Sequence, residues 1–150
     1  MIAVVQRVSE ASVKIDGKVK GEIGLGFMVL LGVALDDTEE DTEWICKKII
    51  GLRIFSDSDD KLNLDIKQAG GDVLLISQFS LQASTKKGNR PSFINAARPE
   101  KAIPLYEKTL DLLTASLGKT VASGEFGADM KVSLVNDGPM TIVLDSKDKK

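Results

Sequence analysis

Four consecutive residues, Ser77-Gln78-Phe79-Ser80, gather two hydroxyls and an amide around one aromatic ring. They follow the continuous apolar run Val73 to Ile76, which is launched by Gly70-Gly71 and bounded like a buried strand. Polar groups at the end of such a strand need partners, from the protein or from a ligand. Two readings stand side by side: hydroxyls that satisfy neighbouring loops, or a site that orients a polar substrate. A second stretch, Asn136-Asp137-Gly138-Pro139, has the composition of an ordinary turn between strands. Its proline fixes its own dihedral and restricts the residue before it, so the same turn would suit a rigid wall. X-Pro bonds are cis in only ~5–6% of folded cases, so composition alone does not make this one cis.

The chemistry open to these residues is narrow. The chain has no histidine and a single cysteine, Cys46. Ser-His-Asp and Cys-His catalysis are therefore excluded within it, as are histidine- or thiolate-based zinc sites. Cys46 follows Trp44-Ile45 in a helical pattern and reads as a packed core thiol in a protein of a reducing compartment. The run Ser56-Asp57-Ser58-Asp59-Asp60-Lys61 lacks the glycine and the glutamate of a calcium loop and reads as a solvated turn. Gly24 and Gly26 precede a strand with no G-x-G-x-x-G, so they form no nucleotide loop. No metal and no cofactor are expected.

The elements that must position these residues follow from periodicity. With 150 residues, 43% of them hydrophobic, one domain with a real core is expected. Ile2 to Val8 and Ala11 to Ile15 have strand character, and Asp16-Gly17 signals a hairpin into Lys18 to Ile23. Phe27 to Ala34 reads as a second buried strand. Thr38 should cap a helix over Glu39 to Leu52, with Trp44, Ile45, Ile49 and Leu52 on its apolar face. Arg53 to Phe55 and Leu62 to Ile66 read as short strands. A second helix should run from Pro99 to Leu117 and stop at Gly118, with a break or displaced start at Pro104. Ala102, Ile103, Tyr106, Leu110 and Leu113 recur along it at helical spacing and are core candidates. Lys119 to Phe126, Met130 to Val135 and Met140 to Leu144 supply the last strands, and residues 146–150 read as a disordered tail.

Charge points to partners only locally. A net charge of -2 announces no global basic field. Lys86, Lys87 and Arg90 concentrate in the loop Ser84 to Pro91. That loop is either a solubilising surface or a lip that grips phosphates beside Ser77–Ser80. Met1 to Val5 is apolar but is interrupted at once by Gln6-Arg7, and no later run is long enough to span a bilayer. A cytoplasmic protein is the expectation.

Six segments resemble the D-aminoacyl-tRNA deacylases. They are Gln6-Arg7-Val8 with Ala11-Ser12-Val13, Arg53-Ile54-Phe55-Ser56, Ser77-Gln78-Phe79-Ser80-Leu81, Arg90-Pro91-Ser92-Phe93, Phe126-Gly127-Ala128-Asp129-Met130, and Val132 to Pro139. They occur in family order and leave out only the tail, with residues 1–145 as the implied domain. The resemblance implies a compact α/β domain, three-layered, with helices on mixed β-sheets, working as a homodimer. It implies hydrolysis of the ester between a D-amino acid and the 3′-terminal adenosine of tRNA. Ser77, Gln78, Phe79 and Ser80 would line the pocket. Gly138 and Pro139 would match a Gly-cis-Pro pair that enters the partner subunit's pocket and rejects L-amino acids. Phe126 and Met130 would sit near that pocket, and Arg7 would orient the Gly-Pro segment. Ser80 stands where the family pattern usually has threonine, which keeps the hydroxyl and loses the β-branch.

The implied reaction suits a chain so poor in bases. An aminoacyl ester is already activated, so a site can work by orienting it while the adenosine 2′-hydroxyl assists attack by water. Chirality can be read by shape, because inverting the α-carbon exchanges hydrogen and side chain. Discrimination of ~10⁴-fold takes ~5.5 kcal/mol, within reach of a steric clash and hard to obtain from one hydrogen bond. Glycyl esters carry nothing for such a wall to strike and should also be cleaved. Two other classes compete: a serine esterase using Ser77 or Ser80 with a lysine as base, and a non-catalytic RNA-binding module built on Lys86, Lys87 and Arg90.

Overall fold

The computed structural model describes residues 1–150. Strand β1 (Ile2–Ile15) turns at Asp16-Gly17, where both residues have positive φ, into β2 (Lys18–Ile23). β3 (Gly26–Gly32) returns antiparallel to the first half of β1. Helix α1 (Glu39–Gly51) follows, then the short pair β4 (Phe55–Ser56) and β5 (Leu62–Leu64). β6 (Asp72–Ser77) lies parallel to β3 and ends in a 3-10 turn over Phe79–Gln82. Helix α2 (Pro99–Leu117), the two-residue β7 (Ala122–Ser123) and the long β8 (Lys131–Asp145) complete the chain.

The main sheet runs β2-β1-β3-β6-β7, and β8 pairs along β1 from Ile2 to Lys14. It curls until its two edges meet, with Gly21 of β2 against the Ser123 carbonyl of β7. β6 is a continuous apolar run because both of its faces are covered. Val73 and Leu75 join the larger core with Phe27, Val29 and Leu31, under residues of both helices such as Ile45, Ile49, Tyr106 and Leu113. Leu74 and Ile76 point the other way, into a smaller core with Val8, Val13 and Met28 that Val132 and Leu134 of β8 cover. The expected α/β class and its helices layered on mixed β-structure are what the chain adopts.

Several expectations change in detail. α2 is continuous through Pro104, whose ring faces solvent. The bond that proline cannot make is to the carbonyl of exposed Glu100 in the first turn, where water can serve as partner. On α2, Ile103 and Leu110 are only partly buried, while Leu105 and Thr109 join the core face. β5 stops at Leu64, leaving Ile66 fully buried beyond it. The strand expected over Lys119 to Phe126 reduces to Ala122–Ser123, and the two expected C-terminal strands are one, β8. Cys46 is a buried core thiol, and burial pushes its pKa up to about 12.

The tail is not disordered at its start. Ser146 is buried, its N–H donates to the Met1 carbonyl at 2.9 Å, and its Oγ accepts from the Met1 ammonium at 2.8 Å. That ammonium also pairs with buried Asp37 at 2.6 Å, and Lys147 reaches Asp41 at 3.1 Å. Charges this buried need partners on every side, and the 146–147 segment supplies some of them. No helix is long and apolar enough to cross a membrane.

Candidate active site

An open cleft of about 880 Å³ lies at the C-terminal end of β6. Its floor is built by strand registry. Ser77 still pairs with Leu31 of β3, and the Gln78 N–H donates to the Leu31 carbonyl at 2.8 Å. The chain then turns sharply over Gly32. A Cβ at that glycine would stand 2.8 Å from both the Gln78 carbonyl oxygen and Leu81 Cβ, so the turn can close only where β3 has no side chain. Gln82, at the end of the turn, donates from Nε2 to the Gly32 carbonyl at 2.9 Å and ties it down again.

This turn fans the four polar-aromatic residues apart. Ser77, Gln78 and Phe79 line the cleft, whereas Ser80 does not. Ser80 lies behind, where its Oγ accepts from Gln78 Nε2 at 2.6 Å. Ser80 thus holds the Gln78 amide from behind and does not itself face the cleft.

The opposite wall comes from the segment before β8. Phe126 and Met130 both line the cleft. Phe126 packs edge-on against Tyr106 of α2, with ring centroids 6.0 Å apart. The Tyr106 hydroxyl in turn donates to the Leu75 carbonyl at 2.9 Å, two residues before Ser77, so one buried side chain braces both walls. Met130 lies over Gly124, where an added Cβ would stand 2.4 Å from its sulfur.

Phe93, Ile94 and Arg98 form a rim that the residue-by-residue reading did not single out. Phe93 meets Phe79 edge-on at 4.9 Å. Its sequence signal was an aromatic directly after the basic loop, within the segment Arg90 to Phe93. The loop itself is pinched at its base by paired backbone hydrogen bonds between Ser84 and Ser92, at 2.8 and 2.9 Å. Lys86, Lys87 and Arg90 project from it, exposed and without ion-pair partners, beside the rim but outside the cleft.

Gly138, Pro139 and Arg7 are not brought to this cleft within one chain. Gly138 and Pro139 sit in a separate bulge on β8, and Arg7 faces it from β1. Gln6 pairs with Thr141 and Val8 with Asn136, so two steps along β1 correspond to five along β8. The surplus residues stand out from the sheet with Gly138 and Pro139 exposed, and the bond between them is cis. Arg7 holds the bulge: Nε donates to the Asp137 carbonyl at 2.8 Å and Nη1 to the Ile54 carbonyl at 2.5 Å. Gly138 has φ +146°, which L side chains rarely adopt, and a Cβ there would also press on Arg7 Nη2 and the Met140 N at 3.0 Å, so the backbone favours glycine here.

Residues 4–145 match the profile of the family described as D-Tyr-tRNA(Tyr) deacylase. The chain belongs to that family. Over all 150 residues, and the full length of each relative, it is 56% identical to a D-aminoacyl-tRNA deacylase of Christiangramia forsetii and 55% identical to one of Bacteroides thetaiotaomicron. Among solved structures it is similar to a c-Myc DNA unwinding element binding protein, at TM-score 0.92 and 40% identity over 97% of this chain and 98% of that one. A probable eukaryotic D-amino acid tRNA deacylase shares the fold at TM-score 0.82 and 17% identity, over 95% and 97% of the two chains. Membership places the chain among the tRNA deacylases, which are hydrolases, as the resemblance of its motifs implied.

Proposed function

We propose that the chain hydrolyses the ester of D-aminoacyl-tRNA to free D-amino acid and tRNA in the cytoplasm, and that it rejects L-aminoacyl-tRNA by shape. The observation that carries this reading is the separation of two features. One is an apolar cleft with hydroxyl and amide groups on its floor; the other is an exposed backbone protrusion, Gly138-Pro139, that lies outside that cleft in its own chain. A homodimer would unite them, with the protrusion of one copy entering the cleft of the other. The 3′-terminal adenosine and its aminoacyl group would then lie between Ser77-Gln78 and the Phe126–Met130 wall. Lys86, Lys87 and Arg90 would meet tRNA phosphates from the rim.

The backbone wall stands where an L side chain would have to go, and glycyl esters pass it. Attack is by water positioned by the substrate's own 2′-hydroxyl, with the Ser77–Gln78 floor orienting the ester. The domain that does this comprises residues 1–145 together with the docked Ser146 and Lys147. No metal enters the scheme.

Incubation with D-, L- and glycyl-tRNA beside a free aminoacyl ester tests the reading. Cleavage of the D- and glycyl-tRNA, with L-tRNA and free ester spared, is the expected result. Cleavage of the free ester with trapping of an acyl-serine would make the protein a serine esterase, and binding without cleavage would make it an RNA-binding module. In the same assay Ser80→Ala should keep substantial activity, and a substrate lacking the terminal 2′-hydroxyl should lose most of its reactivity. Activity should survive thorough chelation.

A further inference from the structure

The bulge that carries Gly138 and Pro139 is held from two sides, and only one of them is the Arg7 guanidinium. Its base is closed from within by the side chain of Asn136. Asn136 Oδ1 accepts from the Met140 N–H at 2.7 Å, and Nδ2 donates to the Met140 carbonyl at 3.3 Å. The carboxamide thus gives Met140 what an opposing strand would give it, one acceptor and one donor. β1 does not provide that partner here, because its paired residues on β8 jump from Asn136 to Thr141. The remaining amide hydrogen reaches Thr141 Oγ1 at 3.1 Å, and the same oxygen accepts from Gln6 Nε2 at 3.3 Å. One side chain therefore ties together both ends of the excursion and anchors it to β1.

We infer that Asn136 is a positioning residue for chirality, fixing the span of the bulge so that Gly138-Pro139 acts as a wall. The argument is mechanical. Gly138 and Pro139 are exposed, so core packing does not set where they stand. Their position is set by hydrogen bonds at the apex, through Arg7, and at the base, through Asn136. Arg7 holds the Asp137 carbonyl, which precedes the wall; only Asn136 grips the residue that follows it. A wall tied on one side can swing away from an L side chain, and the energy of the clash is then lost to movement. This inference rests on the reading proposed above, since it concerns the selectivity of that reaction.

The test compares kcat/KM for one tRNA charged with the D and the L form of the same amino acid. Asn136→Ala removes the clamp and leaves Arg7 and the cleft untouched. Its D-over-L ratio should fall about tenfold or more, because the three hydrogen bonds that close the base of the bulge are lost together. Most of the fall should come from faster L cleavage, with D cleavage changed less than about threefold. Asn136→Asp keeps the acceptor for the Met140 N–H and loses both donors, so it should fall between the two. An Asn136→Ala enzyme slowed equally on both substrates, with its ratio intact, would overturn the inference and leave Asn136 a merely structural residue. If Asn136→Ala fails to fold, Thr141→Val decides together with Asn136→Asp, and unchanged ratios in both overturn it. A parent enzyme with no preference for D substrate would instead sink the proposed function itself.

Discussion

In the cleft, a central parallel strand supplies a rigid backbone and the side chains do the lining; in the bulge, side chains hold an exposed stretch of backbone. β6 is buried on both faces and ends against β3, so Ser77 and Gln78 stand where the sheet puts them. Phe79, Phe93, Phe126 and Met130 then add apolar surface that one substitution can alter without moving the floor. The bulge inverts this. Gly138 and Pro139 contribute main chain and a fixed ring, and Arg7, Asn136 and Gln6 reach in to position them. A side-chain surface suits recognition of a varied substrate, because it can adapt. A backbone surface suits exclusion, because it presents the same obstacle whatever the amino acid.

The difference can be broken or sharpened by substitution. The largest effect is expected at Gly138→Ala, where the new methyl meets Arg7 Nη2 at 3.0 Å in a conformation L residues rarely adopt. The D-over-L ratio should fall by about 100-fold, the equivalent of ~2.7 kcal/mol, in parallel kcat/KM measurements. An unchanged ratio would remove the bulge from selection altogether. Arg7→Ala should lower the same ratio about tenfold, since it cuts the tie between the bulge and the Ile54 carbonyl. Phe93→Ala should behave differently in kind. It removes the edge contact with Phe79, worth ~0.5–1.5 kcal/mol, and should raise KM several-fold while leaving the ratio where it was. If Phe93→Ala altered chirality, the division of labour between side-chain cleft and backbone bulge would be wrong.

The smallest effect on activity is expected for Tyr106→Phe, which should instead cost about 1 kcal/mol of stability by removing the bond to the Leu75 carbonyl. Burial pushes the pKa of Tyr106 up to about 12, above the ~10 of an unfolded tyrosine. Above pH ~10 the unfolded chain therefore binds fewer protons than the folded one. The stability contributed by neutral Tyr106 is full below that pH and is lost as pH rises toward 12. Thermal melts across this window should show a shallower decline for the variant than for the parent.

How much of this was legible depends on whether the signal was local. The Asp16-Gly17 hairpin, the Thr38 start of α1, the Gly118 stop and the buried run of β6 depend on short-range periodicity and turn chemistry, and each lies where its residues indicated. Asn136 to Pro139 has equally clear turn chemistry, yet it forms a bulge inside one 15-residue strand. What overrides the local signal is β1, whose own 14 residues pair on both sides of the bulge and keep β8 a single strand. Lys147 was misleading for a similar reason. A lysine-rich end reads as solvated tail, but Asp36, Asp37 and Asp41, more than a hundred positions earlier, give its ammonium partners.

The amino-acid sequence by itself determined the chemistry that is available: no histidine, one cysteine, and hydroxyl, amide and aromatic groups at the end of an apolar strand. It also determined the family, through six short segments in order, because those residues carry their identity without needing their neighbours. Only the tertiary structure decided how they are shared out. The register of β1 against β8 separates Gly138-Pro139 from the cleft of its own chain, and the close turn over Gly32 swings Ser80 behind Gln78. Which groups line the cleft and which hold others in place follows from pairings between residues far apart in the chain, such as Gln6 and Thr141, 135 positions apart. Contacts of that range are made by the closing of the sheet, and no local stretch of the chain contains them.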